Sequence, residues 1–196
     1  VKEVVQVAAD LGAQNKESLG SLFKNADKAD DLNEVMQVAA KALGTDDGSG
    51  NKKLGADQAS IMASTLQNAD QAESLKSVMD DAAGLDLQGS DNLTNVFKNA
   101  DKAGDLKEVM SVAKASGAVA SLGSVLQNAD KADSMKSVMD DAEALGIQNA
   151  ENLTAVFANA DQANDLRDVM SVAKANLGTD DGTGVKKFNK SNASIL

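Results

Sequence analysis

The tripeptide Asn-Ala-Asp occurs five times, at Asn25-Ala26-Asp27, Asn68-Ala69-Asp70, Asn99-Ala100-Asp101, Asn128-Ala129-Asp130 and Asn159-Ala160-Asp161. Every copy carries the same apolar spacing behind it. Self-similarity of this kind restricts a chain to stacked copies of one supersecondary unit. Two residues after the Asp stands an Ala, and five after it Leu32, Leu75, Leu106, Met135 or Leu166. Eight and nine after it the pair is always Val-Met, from Val35-Met36 to Val169-Met170, and twelve after it Ala returns. Offsets of 2, 5, 9 and 12 mark one face of an α-helix.

This trailing helix is expected to start at the motif Asp, whose carboxylate suits an N-cap. Three residues on, Asp30, Glu73 and Asp133 add negative charge at the positive end of the helix dipole. Gly44, Gly84, Gly117, Gly146 and Gly178 follow the trailing helices and are expected to close them in the left-handed conformation.

A shorter leading helix runs up to each motif. Leu153, Val156 and Phe157 lie on one face of it in the last copy, Leu93, Val96 and Phe97 in the third, and Leu19, Leu22 and Phe23 in the first. The second copy is weaker, with Met62, Thr65 and Leu66. These offsets place Phe23, Phe97 and Phe157 in the core stripe. Asn tolerates positive φ and is expected to end the leading helix. Asn-Ala-Asp therefore reads as the stop, turn and start between two antiparallel helices.

Successive motifs are 43, 31, 29 and 31 residues apart. Residues 1–62 align with residues 135–196 without a gap at an offset of 134. The predicted fold is all-α: an α-solenoid of antiparallel helical hairpins of about 30 residues, with a four-hairpin super-repeat of 134 residues. Residues 1–196 read as a single continuous array with loop insertions at 45–56 and 179–190. A lone hairpin cannot bury its apolar face, whereas stacked neighbours can. The recurrent Ala residues are expected to let helices approach closely, and the Met residues of the Val-Met pairs to lie in the core.

Thirty acidic residues against nineteen basic ones give a net charge of −11, and Tyr and Trp are absent. Such a chain offers neither a phosphate-neutralising stripe nor stacking platforms, which argues against nucleic-acid binding. No apolar run reaches the length of a membrane span. With no His and no Cys, the usual activated-nucleophile sets are missing. Acidic pairs such as Asp80-Asp81 and Asp140-Asp141 point about 100° apart on a helix, too divergent to share a proton. The chain is not expected to be an enzyme and has no small-molecule substrate signature.

The inserted loops, Gly-Thr-Asp-Asp-Gly at 44–48 and again at 178–182, carry the one candidate metal chemistry. Asp46, Asp47, Asp180 and Asp181 could supply oxygens to Ca²⁺ from a sharply turning backbone. Asp47, Ser49 and Asn51 have the alternate spacing of a calcium loop, but Lys52 follows where Gly is wanted, no Glu closes the shell, and Val185 replaces the Asn in the second copy. The competing reading is a solvated turn in which the Asp pair faces the Lys pair, with Leu54 or Phe188 pinning the loop. No other cofactor is indicated.

Near-identical units favour a structural protein: a fibre, stalk or sheath component, extracellular or on a bacterial cell surface, whose partner is itself. The composition, rich in Ala, Asp, Asn, Ser and Gly and poor in aromatics, supports that localisation. Both termini fall inside helices of the repeat without a polar cap, so a fragment of a longer array is expected. The alternative is a solenoid that binds a peptide or protein, which requires exposed apolar anchors on one face. The units lack the Trp, Tyr and Pro positions of the tetratricopeptide repeat and the Thr-Pro-Leu-His of ankyrin.

Overall fold

A computed structural model describes residues 1–46, 48, 52–180, 182, 186 and 187. The described chain is all-helical apart from two very short β-ladders, and it divides into two compact units, Val1–Lys107 and Glu108–Leu196. The first unit holds α1 (Lys2–Asp10), α2 (Lys16–Lys24), α3 (Ala29–Leu43), strands β1 (Thr45–Asp46) and β2 (Lys52–Lys53), α4 (Ala56–Gln67), α5 (Ala72–Gly84), α6 (Ser90–Lys98) and the start of α7 (Ala103–Ser116). The second holds the rest of α7, α8 (Leu122–Gln127), α9 (Ala132–Leu145), α10 (Ala150–Ala158), α11 (Ala163–Leu177), β3 (Thr179–Asp180) and β4 (Lys186–Lys187). No described helix is long and apolar enough to cross a membrane.

Helices of one type pack against their own type. In the first unit α4 lies on α2 and α6 on α4, while α3 lies on α1 and α5 on α3. In the second unit α10 packs on α8 and α11 on α9. The Ala, Leu or Met, and Met of the trailing pattern supply these contacts: Ala72, Leu75, Val78 and Met79 are buried in α5, and Ala132, Met135, Val138 and Met139 in α9. Ala39, Ala82 and Ala113, twelve residues after their motifs, are fully buried, so a helix backbone is in close contact there. The weak second copy holds a polar bridge instead. Buried Thr65 donates its hydroxyl to the carbonyls of Ile61 and Phe97, 3.0 and 3.1 Å away, joining α4 to α6.

The motif works differently from the expectation. Each motif Asn keeps negative φ, −98° to −114°, instead of turning left-handed. Its side-chain amide donates back to the carbonyl four residues earlier: Asn25 to Ser21, Asn68 to Ser64, Asn99 to Asn95, Asn128 to Ser124 and Asn159 to Ala155, at 2.9–3.1 Å. One of the orphan carbonyls at the helix end is thereby satisfied without a positive φ. These amides bond within their own helix rather than to one another.

The Asp is not the N-cap of the trailing helix either. Ala-Asp-Lys or Ala-Asp-Gln forms one turn of 3₁₀ helix, as at Ala26–Lys28 and Ala69–Gln71, and α3, α5, α9 and α11 begin after it without a side-chain cap. The amide of the residue after Asp closes on the Asn carbonyl, for example Lys28 to Asn25 at 3.0 Å. The tighter 3₁₀ hydrogen bond supplies the donors' partner that a cap would have supplied.

Helix ends are of two kinds. Gly117 and Gly146 do take left-handed φ, 82° and 75°, as does Gly12 at 73°. At Gly146 the next amide, Ile147, reaches the Ala142 carbonyl at 2.9 Å, the six-to-one bond of a Schellman motif. Gly84 instead remains in α5, and Asp86 occupies the left-handed position at φ 58°. Gly44 and Gly178 are extended, at φ −78° and −68°. Their need for glycine is close approach. A Cβ on Gly44 would stand 2.4 Å from the Ala40 carbonyl oxygen, and one on Gly178 would stand 2.6 Å from that of Lys174 and 2.8 Å from the Lys186 Cβ. Gly44→Ala is therefore expected to destabilise the first unit by about 1–3 kcal/mol, as overpacking does, read from the urea midpoint.

Candidate functional site

Neither loop is a plain turn. β1 and β2 pair antiparallel with Thr45 opposite Lys53 and Asp46 opposite Lys52, and β3 and β4 repeat the register with Asp180 opposite Lys186. The Asp46 carboxylate accepts the Gly48 amide at 2.8 Å, and the Asp180 carboxylate accepts that of Gly182 at the same distance. These carboxylates thus shape the turn, and the Lys186 ammonium donates to the Ala175 carbonyl at 2.6 Å. Asp47 and Asp181, the other two candidate calcium ligands, lie outside the described residues, as do Ser49, Asn51, Val185 and Phe188. Among the described residues no three acidic side chains gather as a metal-binding group. One carboxylate already committed to a backbone amide is a poor start for a shell of six to eight oxygens.

The acidic surface is organised by ion pairs between neighbouring trailing helices, which spacing alone did not reveal. Six residues after its motif Asp, Lys76 of α5 sits 3.0 Å from Glu34 of α3 and 2.7 Å from Asp80. Lys136 of α9 repeats this, 3.2 Å from Glu108 of α7 and 3.0 Å from Asp140. Glu73 lies between Lys28 and Lys107, at 3.5 and 3.7 Å, and Asp141 holds Lys174 at 2.5 Å. The signal was present in the offsets, a Lys at six facing a Glu at seven one unit earlier. It becomes meaningful only once the trailing helices are known to be neighbours.

Both bridging lysines titrate above the ordinary lysine range. Hydrogen bonds to Asp80 and then Glu34 hold the Lys76 proton, and those to Asp140 and then Glu108 hold that of Lys136. A folded-state pKa raised above the unfolded one favours folding below the unfolded value. This contribution is therefore present at neutral pH and is lost as pH rises above about 10.4. The urea midpoint is expected to be flat from about pH 6 to 9 with respect to these groups and to fall above about pH 10.4. Lys76→Met with Lys136→Met should flatten that alkaline fall.

The remaining candidate is apolar. The duplicated segment makes two versions of one leading-and-trailing pair, α2 with α3 and α10 with α11, and their burial is reciprocal. On the side towards the preceding helices, Phe157 is fully buried against its neighbours whereas its counterpart Phe23 is 61% exposed. Phe23 was expected in the core and is not there, because no described element packs on that side of α2. Ala26 is likewise exposed where Ala160 is buried. On the opposite side the order reverses. Val35 of α3 is 1% exposed beneath α5, whereas Val169 and Val172 of α11 are 54% and 63% exposed. A groove of about 380 Å³ lies among α9, α10 and α11, lined by Val138, Ile147, Val156, Leu166, Val169 and Met170 among others.

Comparison with protein-family models, curated proteins and solved structures finds no match.

Proposed function

We propose that the chain is a structural repeat protein, an α-solenoid segment of an extended fibre, stalk or sheath, extracellular or on a bacterial surface. The reading treats each leading and trailing helix as one hairpin and the chain as a segment of a longer array with a 134-residue super-repeat. The observation that carries it is the recurrence of one contact scheme. The same buried Ala, Leu, Val and Met positions and the same lysine-to-glutamate pairs recur from unit to unit. A protein that evolves to hold one ligand tunes the positions that touch it into anchors, whereas here the exposed positions drift among Lys, Asp, Asn, Gln, Ser and Glu. Catalysis has no place in this scheme.

The test is the mass of the native polypeptide on a denaturing gel, with electron microscopy of the native material. A mass many times 20.1 kDa together with rods or sheaths supports the reading. A polypeptide near 20.1 kDa that forms no elongated particle overturns it. Calcium bound by Asp46, Asp47, Asp180 and Asp181 is a variant in which the loops stiffen the array. In that variant a chelator lowers thermal stability and opens residues 45–56 to protease, and unchanged behaviour removes it.

A second reading, a binding module for a protein or peptide, gains one specific observation. Phe23, Val169 and Val172 are exposed apolar side chains of the kind that anchor a partner. They occupy stacking positions of the repeat, which favours a partner of the same architecture.

A further inference from the structure

We infer that the groove between α1, α3 and β2 binds an acidic peptide segment, whose carboxylates meet Lys41, Lys52 and Lys53 and whose aliphatic side chains lie on Val7 and Leu11. The site goes beyond the array reading and stands without it, because it needs only elements of the first unit. The groove has a volume of about 630 Å³ and is lined by Val7 and Leu11 from the end of α1, Ala40 and Lys41 from α3, and Lys52 and Lys53 from β2, among others. Leu11 is 4% exposed and Val7 and Ala40 are half-buried, so the floor is aliphatic, and the three lysines stand exposed around it. One acid, Asp10, also lines the groove, and its carboxylate accepts the Gln6 side-chain amide at 2.8 Å. Three lysines to one acid reverse the balance of a chain with 30 acidic and 19 basic residues. Among the described residues the ammonium groups of Lys41 and Lys52 have neither an ion pair nor a hydrogen bond.

The duplicated segment shows that stacking does not require this arrangement. At the 134-residue offset Asp141 stands for Val7, Lys174 for Ala40 and Ala175 for Lys41, while Lys186 stands for Lys52. There Lys174 of α11 meets Asp141 of α9 at 2.5 Å, and Lys186 is held by the Ala175 carbonyl at 2.6 Å. An ion pair thus bridges the two trailing helices where the first copy has an aliphatic floor. In the first copy both partners of that bridge are aliphatic, a lysine is added beside them, and the Lys52 ammonium has no backbone partner. All three differences open the groove or concentrate positive charge in it. The inserted loop, the departure from the 30-residue unit, carries Lys52 and Lys53 to this place beside α3.

The lining selects the class of ligand. Clefts of this size, mostly apolar with a few placed charges, are of the kind that take ligands. Lysine is a point charge on a flexible stem, suited to carboxylates spaced along a chain rather than to one bidentate partner. A compact anion would meet the ammonium groups and leave the aliphatic floor in water. A peptide with alternating acidic and aliphatic side chains covers both.

The test is fluorescence anisotropy of a fluorescein-labelled hexapeptide of alternating Glu and Leu, titrated with the 196-residue chain. Saturable binding with a dissociation constant below about 1 mM is expected. The same peptide with Gln for Glu should bind about tenfold more weakly, as loss of charge-assisted hydrogen bonds predicts. Val7→Asp combined with Ala40→Lys installs the bridge of the other copy and should weaken binding by about tenfold or more. Lys41→Ala, the residue of the other copy at an exposed position, should weaken it by about threefold or more with helicity unchanged. No binding at millimolar chain overturns the inference, as does equal binding of the Gln peptide or of the Lys41→Ala variant. Displacement of the probe by an equal concentration of inorganic phosphate overturns it in favour of a compact anion. A parent chain that sediments as a dimer, and that the peptide dissociates, overturns it in favour of a second copy.

Discussion

Phe97→Ala is expected to lower the unfolding free energy by about 3–5 kcal/mol, the range for deleting a large core aromatic, and Phe157→Ala to do the same. Phe23→Ala is expected to change it by less than about 0.5 kcal/mol in dilute solution, as an exposed substitution does. All three residues stand four before a motif Asp, and local sequence alone does not distinguish them. Phe97 and Phe157 are fully buried and their truncation leaves a cavity, whereas most of the Phe23 surface already meets water. Urea unfolding followed by circular dichroism at low micromolar concentration measures the difference. Equal losses at Phe23 and Phe97 would mean that the side of α2 described as open is covered in solution.

The second large effect is expected at the Val of the Val-Met pair, where the reciprocal side of the repeat is tested. Val35→Asp places a carboxylate beneath α5 with no cation to receive it, and an uncompensated buried charge costs about 3–5 kcal/mol. The same substitution at Val169, the equivalent residue at the 134-residue offset, leaves the carboxylate in water and is expected to cost less than about 0.5 kcal/mol. Unfolding midpoints of the two variants, compared with the parent chain, decide this. A large loss at Val169 would show that α11 is covered on that side within the monomer. The burial assignments of α3 and α11 would then have to be made equal.

Much of the candidate chemistry was legible as residue types without being legible as arrangement. Asp46 and Asp180 stood out as acids in a glycine-rich loop, but their turn-forming bond to the Gly48 and Gly182 amides and their position opposite Lys52 and Lys186 follow from the β-ladders. The ladders themselves, two residues to a strand, are too short for alternation to announce. Thr65 looked like a weak point in an apolar stripe, and became a hydrogen-bonded bridge once the Phe97 carbonyl lay beside it.

What the amino-acid sequence determined by itself is the helical content, the recurrent unit and its buried face. These depend on residues three to four apart in one helix, and such local periodicity is written directly in the chain. It also placed the stops, although the physics of the stop differs: Asn ends its helix through its side-chain amide, and a 3₁₀ turn replaces the expected Asp cap. Only the tertiary structure decided which chemically equal positions are buried. Phe23 and Phe157, or Val35 and Val169, have the same local offsets and opposite exposure because burial is a property of the neighbouring helix, which among the described residues covers one member of each pair and not the other.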